Sequence, residues 1–228
     1  LNEYESKCIK YFFPFKPSEI ISTGIKIPEK NECDNLLKPD FKNILNNKKI
    51  ILYLGRLVSR KGIKDLIKAW LNLNKEAWNT EWLLVFAGFG PLSNLLKKLN
   101  QDKNKRILFV GEVFGKDKDF LLRSSTAFIL PSNGEGTPIS ALEALSYSTV
   151  CLLTDKCNLE NLSNQNISFR IEKNSKSIEN NLKLLFKLNE KEINYKKEMG
   201  IQYIAKEHNW ELTTQKMIGL YKKVIKNS

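Results

Sequence analysis

Residues 126–147 read TAFILPSNGEGTPISALEALSY and place three local patterns side by side. Thr126–Leu130 is a short apolar run typical of a buried strand, Thr137–Tyr147 is typical of a helix, and a glycine-containing turn joins them. The first turn of a helix carries free N–H groups and a positive dipole end, which favour anions. A carboxylate at this turn, Glu135, is costly unless cations or hydroxyl groups face it. The stretch therefore predicts a site for a phosphorylated, hydroxylated ligand such as a sugar nucleotide.

The same alternation of apolar runs and amphipathic segments continues along most of the chain. The predicted strands are Ile50–Leu54, Trp82–Ala87, Ile107–Val110, Thr126–Leu130, Val150–Thr154 and Ser168–Ile171. The predicted helices are Gly62–Leu73, Pro91–Asn100, Lys116–Ser124, Thr137–Tyr147 and Ser175–Leu188. Short apolar strands separated by helices predict an α/β fold with a Rossmann-like, doubly wound parallel sheet. Ligands of such sheets bind at the carboxyl ends of the strands.

Two cations follow the first predicted strand, in the segment GRLVSRKG at residues 55–62. Arg56 offers a planar fork of donors and Lys61 a mobile point charge, which together suit a diphosphate. Taken alone, both are equally compatible with solvated loop cations. Because the Glu135 turn is predicted at the same edge of the sheet, the pattern favours a diphosphate site.

Glycine-containing turns also follow the second and third predicted strands. The turn at Phe86–Pro91 lacks the third glycine of a dinucleotide fingerprint, and the chain has no GxxxxGK[ST] phosphate loop. We therefore assign Phe86–Pro91 to packing rather than to ligand contact. In Gly111–Gly115, the backbone at Val113 is placed to edge a nucleobase, although an ordinary loop fits the pattern equally well.

The composition indicates a folded domain with an unusual charge. The 228 residues are 42% hydrophobic and carry a formal net charge of +12. No apolar run approaches the ~20 residues that a membrane-spanning helix needs. The positive charge is explained either by a compositional bias towards lysine or by acidic partners, such as a phosphorylated donor or an anionic membrane surface. Nucleic acid is a weaker candidate, because arginine is scarce and no RNA-binding or zinc-finger signature occurs.

Cysteine and histidine usage narrows the chemistry further. Cys8, Cys33, Cys151 and Cys157 form no Cys-x-x-Cys pair, and His208 is the only histidine. This disfavours a zinc site and favours a reducing, cytoplasmic setting, with Cys151 in the core. We expect His208 to be structural or exposed rather than catalytic.

Three features together resemble a known family. They are the GRL…KG turn, the EGTPISALEA segment with Glu135 and Glu143 eight residues apart, and the C-terminal helix around Trp210. The combination is similar to the C-terminal, donor-binding half of a GT-B glycosyltransferase of family four (glycosyl transferases group 1), whose members use sugar nucleotides and retain configuration. The resemblance runs from about Ser18 to Asn227.

The resemblance implies a role for each matching residue. Arg56 and Lys61 would hold the donor diphosphate and stabilise the departing nucleoside diphosphate, while Glu135 would face the hydroxyls of the donor sugar. The backbone N–H groups of Gly136 and Thr137 would meet phosphate. Glu143 would accept hydrogen bonds from the ribose. Catalytic roles thus fall on Glu135, Arg56 and Lys61, and no metal or other cofactor is implied.

The resemblance also implies the organisation of the chain. Residues 1–46 would be the end of a preceding domain and a linker, 47–190 the Rossmann-like nucleotide-sugar-binding domain, and 191–228 helices that pack back towards the preceding domain. The chain starts at Leu1 rather than Met, and we expect it to be a fragment. The resemblance implies that the acceptor-binding half is missing, so we expect the chain to transfer sugar poorly by itself. Ser148 stands where the family usually has glycine, which predicts a different helix ending.

The function implied is transfer of a sugar from a nucleotide-diphosphate donor, UDP- or GDP-linked, in polysaccharide, lipopolysaccharide or glycolipid synthesis. The expected partners are the nucleotide sugar, a lipid-linked or saccharide acceptor and an anionic membrane contacted peripherally, but no nucleic acid. The expected location is cytoplasmic, at the inner face of the membrane. Two alternatives stay open: a GT-B nucleotide-sugar epimerase, and a non-catalytic nucleotide-binding module left by truncation.

Overall fold

The computed structural model describes residues 3–12, 19–29, 48–75 and 81–226. Within these ranges the strands are β1 (Lys49–Leu54), β2 (Trp82–Ala87), β3 (Ile107–Gly111), β4 (Ser125–Leu130), β5 (Val150–Leu153) and β6 (Phe169–Arg170). They form one six-stranded sheet in the order β3-β2-β1-β4-β5-β6, and all neighbours are parallel. The predicted Rossmann-like parallel sheet is confirmed.

Helices of the described ranges connect and flank these strands. They are α1 (Glu3–Phe12), α2 (Ile63–Lys75), α3 (Ser93–Asn100), α4 (Gly115–Ser124), α5 (Ile139–Ser146), α6 (Glu160–Asn164), α7 (Ser175–Lys187), α8 (Glu190–Glu207) and α9 (Trp210–Lys226). In the same ranges, single 3-10 turns lie at Ser59–Lys61, Lys103–Lys105 and Asp155–Cys157.

The sheet is the centre of the hydrophobic core. All six residues of β2 and all four of β5 are buried, as expected for strands covered on both faces. Cys151 is buried in β5, as predicted, whereas Cys33 lies outside the described residues. The strand order reverses between β1 and β4, and in doubly wound sheets this switch point is where ligands bind. The loops after β1 and β4 are those that carry Lys61 and Glu135.

The predicted elements differ from the observed ones mainly at their ends. The helix predicted from Thr137 begins at Ile139, because the backbone of Pro138, with φ −80° and ψ 74°, is not helical. The predicted helix Thr137–Tyr147 included Pro138, and the prediction was wrong at this end. The strand predicted at Ser168–Ile171 keeps only two paired residues, Phe169 and Arg170, at the edge of the sheet.

The end of α5 shows how serine replaces glycine in a left-handed position. Ser148 has φ +59°, its N–H donates to the Leu145 carbonyl at 3.1 Å, and the Thr149 N–H donates to the Ala144 carbonyl at 3.0 Å. This pair of bonds is the Schellman ending that glycine usually makes. The expectation of a different helix ending was wrong, because the tertiary position of β5 imposes the left-handed residue in spite of its side chain.

The Ser148→Gly variant is expected to be more stable than the wild type. A left-handed backbone costs an L-residue about 1–2 kcal/mol, and part of this gain is offset by the greater freedom of glycine in the unfolded chain. We expect a net gain of about 0.5–1 kcal/mol in the free energy of unfolding, measured by urea titration. The control is Ser124→Gly at the end of α4, which should lower stability because its position is helical. A loss of stability in Ser148→Gly would contradict the prediction.

The two C-terminal helices hold the segment at residues 19–29. The Ile25 N–H donates to the His208 carbonyl at 2.6 Å, and the Thr213 hydroxyl donates to the Ser22 carbonyl at 2.9 Å. The His208 Nδ1 lies 3.0 Å from the Thr23 carbonyl, which can only accept, so this nitrogen carries the proton. Burial lowers the pKa of His208. Its role here is structural, as predicted.

Candidate functional site

An ion pair joins the loops that follow β1 and β4. Lys61 Nζ lies 2.6 Å from Glu135 Oε1 and 2.7 Å from Oε2. The two side chains are only 12% and 8% exposed. The structure thus brings together two of the predicted site residues, which are 74 positions apart in the sequence. A carboxylate that is nearly buried needs such a partner, because burial of an unpaired charge is strongly unfavourable.

A close backbone approach makes this pair possible. Gly62 follows Lys61 with φ +72°, and a Cβ at this position would lie 2.1 Å from the Pro131 carbonyl oxygen. Only glycine allows the chain after β1 to pass so close to the chain after β4. The contact holds the backbone of Lys61 beside the loop at residues 131–137, which we call the Glu135 loop.

The Glu135 loop is held from both sides by hydrogen bonds. On the β1 side, the Asn133 N–H donates to the Arg60 carbonyl at 2.8 Å, and the Arg60 guanidinium donates to the Gly134 carbonyl at 3.2 Å. On the β5 side, the Glu135 N–H donates to the Lys156 carbonyl at 2.9 Å, and the Asn158 side chain donates to the backbone of the loop. The loop therefore has a defined conformation before any ligand is considered.

Two amides of this loop have no hydrogen-bond partner in the part of the chain that the structure describes. Gly136 and Thr137 are exposed, and their N–H groups donate to no acceptor among the described residues. Pro138 has no N–H. Free amides at the start of α5 are the feature that the sequence predicted for phosphate.

The second carboxylate of the motif has a lysine of its own. Glu143, on α5, accepts from Lys118 Nζ at 2.8 Å, and the side chains are 24% and 30% exposed. Glu135 and Glu143 are therefore paired with two different cations rather than with one common partner. The sequence analysis did not identify Lys118. The sequence predicts that Lys118 lies near the start of α4, but no pattern in the neighbouring residues indicates a contact with Glu143.

Arg56 stands apart from these pairs. Its side chain is exposed and makes no hydrogen bond or ion pair within the described ranges, which leaves all its donors available. Its carbonyl accepts from the Tyr53 hydroxyl at 2.8 Å. Burial, and then the negative charge of Glu135, raise the pKa of Tyr53, so this hydroxyl stays protonated and holds the turn after β1.

The loop with Val113 follows β3, which lies two strands away from β1. Val113 packs partly against the core, and its neighbour Phe114 is 71% exposed. In the turn after β2, a Cβ on Gly88 would lie 2.0 Å from the Gly55 carbonyl oxygen. This glycine packs against the turn after β1, in agreement with the packing role predicted for it.

Comparison with known proteins shows the family to which this chain belongs. Residues 37–200 match the family described as Glycosyl transferases group 1. The chain belongs to this family. A glycosyltransferase of Haemophilus influenzae, itself uncharacterized, is 33% identical over 137 residues, which are 58% of this chain and 35% of that protein. The UDP-Gal:alpha-D-GlcNAc-diphosphoundecaprenol alpha-1,3-galactosyltransferase of Escherichia coli is 29% identical over 163 residues, 68% of this chain and 41% of that protein.

The fold of this group 1 glycosyltransferase chain agrees with a solved structure. WaaG, a glycosyltransferase involved in lipopolysaccharide biosynthesis, superimposes with a TM-score of 0.72 at 17% identity, over 94% of this chain and 60% of WaaG. The sheet is thus the Rossmann-like sheet of a GT-B glycosyltransferase. The chain spans between a third and about two fifths of the length of these two curated relatives. None of the helices in its described ranges has both the length and the apolar composition needed to cross a bilayer.

Proposed function

We propose that this chain is the donor-binding part of a retaining glycosyltransferase, which transfers a hexose from a nucleoside diphosphate sugar. The observation that carries the proposal is the Lys61–Glu135 pair at the switch point of the sheet, beside two free amides. A cation, a carboxylate and N–H donors meet there. These groups match the diphosphate and the sugar hydroxyls of such a donor.

The proposed mechanism is mainly electrostatic. Negative charge grows on the diphosphate oxygens as the bond to the anomeric carbon breaks. Lys61 uses two of its three N–H donors on Glu135 and keeps one for a phosphate oxygen, and Arg56 adds a planar fork. Groups that face the growing charge stabilise the transition state more than the ground state. With these cations and the Gly136 and Thr137 amides in place, we propose that transfer requires no metal.

Two carboxylates would orient the donor. Glu135 accepts from the sugar hydroxyls, and Glu143 accepts from the ribose hydroxyls while Lys118 compensates its charge. The backbone at Val113 borders the base. The base is uracil or guanine in this proposal.

The acceptor side of the reaction lies in a second domain in this proposal. Residues 1–46 are its end and the linker, 47–190 bind the donor, and 191–228 pack back towards it. On α9, Met217, Ile218, Tyr221 and Ile225 are 40–73% exposed, which supports an apolar partner surface. We further propose a lipid-linked or saccharide acceptor at the cytoplasmic face of an anionic membrane, which suits the net charge of +12.

Calorimetric titration of the chain with UDP, GDP and ADP, in the presence of EDTA, tests donor binding. We expect one nucleotide to bind, and Glu143→Ala to weaken its binding about tenfold through the lost hydrogen bonds of a charged acceptor. The control is Glu198→Ala, the same change at an exposed position of α8, which should leave the affinity unchanged. If the folded wild-type chain binds none of the three nucleotides, the proposed donor site is wrong.

A further inference from the structure

The Asn158 side chain is hydrogen-bonded to the part of the Glu135 loop that carries the unpaired Gly136 and Thr137 amides. It follows the 3-10 turn at Asp155–Cys157, after β5, and has φ +56°. Its side-chain Nδ2 donates to the carbonyl oxygens of both Glu135 and Gly136. Both partners can only accept, so they identify the side-chain atom that faces them as the nitrogen.

The backbone of residues 134–137 in this loop can be accounted for group by group. The carbonyl of Gly134 accepts from Arg60, and those of Glu135 and Gly136 accept from Asn158. The Asn133 and Glu135 N–H groups donate to main-chain carbonyls, whereas those of Gly136 and Thr137 do not. The Gly134 N–H and the Thr137 carbonyl are paired as well, so the backbone groups left over within residues 134–137 are the N–H donors of two adjacent peptides.

Peptide geometry then fixes where these donors point. In a trans peptide the C=O of one residue and the N–H of the next lie in one plane and point in opposite directions across the C–N bond, and the described residues contain no cis peptide. Because Asn158 draws the carbonyls of Glu135 and Gly136 to its own side, the N–H groups of Gly136 and Thr137 both point away from it. Two neighbouring N–H groups aimed in one direction form a concave donor site for an anion.

The turn that carries Asn158 is itself firmly held. The Thr154 hydroxyl donates to the Ser132 carbonyl at 2.6 Å, and the Lys156 carbonyl accepts from the Glu135 N–H. Two hydrogen bonds thus join the loop after β4 to the loop after β5. Asn158 lies directly after the turn that they hold. Since these two bonds also hold the two loops together, the Asn158 side chain is placed to set the tilt of two peptide planes.

We propose that Asn158 is a positioning residue that aims the Gly136 and Thr137 amides at the diphosphate of the donor, an inference that rests on the donor site proposed above. Asn158 does not touch the diphosphate itself. Without its side chain, the two peptide planes are free to rotate, and the amides no longer converge on one phosphate.

The test compares Asn158→Gly and Asn158→Asp with the wild type. Glycine accepts the left-handed backbone without strain, and aspartate keeps the shape but cannot donate to a carbonyl. Asn166→Gly is the matched control, because Asn166 also has a left-handed backbone, with φ +58°, and bonds to Lys196 rather than to the Glu135 loop. Each variant is titrated with UDP, GDP and ADP and with the corresponding monophosphates, and its melting temperature is recorded.

We expect both Asn158 variants to bind the selected nucleoside diphosphate about tenfold more weakly, with a much smaller change for the monophosphate. In the wild type, the ¹⁵N–¹H resonances of Gly136 and Thr137 should shift when the diphosphate is added, and these shifts should shrink in the variants. A purely structural role would instead lower the melting temperature and weaken both ligands equally. Diphosphate affinity unchanged within twofold in both variants overturns the proposal and leaves the donor site intact, whereas a wild-type chain that binds no nucleotide overturns both.

Discussion

Replacing Lys61 by methionine is expected to remove about 3 kcal/mol from the free energy of unfolding, because it leaves the carboxylate of Glu135 nearly buried without its cation. Methionine retains much of the length and apolar character of the lysine side chain, so packing is largely preserved. Urea unfolding followed by circular dichroism measures the loss. We expect the same variant to bind nucleoside diphosphate at least tenfold more weakly, since one charge-assisted hydrogen bond to phosphate is lost.

A double variant separates stability from binding. Lys61→Met combined with Glu135→Gln removes both charges, so the uncompensated carboxylate is gone and most of the stability should return. Nucleotide binding should stay weak, because the cation is still absent. The control is Lys49→Met, which breaks a pair with Glu81 at 3.6 Å whose side chains are 50% and 62% exposed, and we expect a loss below about 1 kcal/mol there. If Lys61→Met and Lys49→Met lower the free energy of unfolding by similar amounts, burial of the Lys61–Glu135 pair is not the cause of the loss.

The second large effect is expected for Gly62→Ala, at about 3 kcal/mol. A left-handed residue with a Cβ adds backbone strain at φ +72°, and the new methyl group would lie 2.1 Å from the Pro131 carbonyl oxygen. The loops after β1 and β4 must then move apart, which separates Lys61 from Glu135. We therefore expect nucleotide binding to fall together with stability, as measured by calorimetry and urea unfolding.

Gly115→Ala isolates the backbone contribution to this effect. Gly115 also has a positive φ, +50°, but no described residue beyond its chain neighbours and its own helix backbone has an atom within 4 Å of the position its Cβ would take. The Gly115→Ala variant should lose about 1 kcal/mol in the free energy of unfolding, which is the cost of the left-handed conformation alone. Equal losses at Gly62 and Gly115 would show that the close approach to Pro131 is not what matters.

Much of the sheet was predictable because a strand that is covered on both faces consists of a continuous run of apolar residues. Trp82–Ala87 was predicted with its observed ends, and all six residues are apolar or small. The ends of α5 were less predictable. Pro138 permits both a first helical turn and the residue before it, and Ser148 takes a left-handed conformation that its side chain disfavours.

The candidate site divides in the same way. Arg56, Lys61, Glu135 and Glu143 were recognisable because each lies in a segment with its own local pattern, directly after a strand or on a short apolar helix. Their partners were not recognisable from such patterns. Lys118 and Asn158 lie 25 and 23 positions from the residues they contact, on a helix and a turn that resemble many others.

By itself, therefore, the sequence determined the succession of strands and helices, the loops that carry charge at the carboxyl edge of the sheet, and the family resemblance. Only the tertiary structure decided that Glu135 pairs with Lys61 and Glu143 with Lys118, and that the Gly136 and Thr137 amides point away from Asn158. The physical reason is that periodicity and turn chemistry act between residues close in the chain. The contacts of Glu135 with Lys61 and Asn158 depend on the strand order β1-β4-β5, which places three separate loops next to each other, and the contact of Glu143 with Lys118 depends on the packing of α5 beside α4.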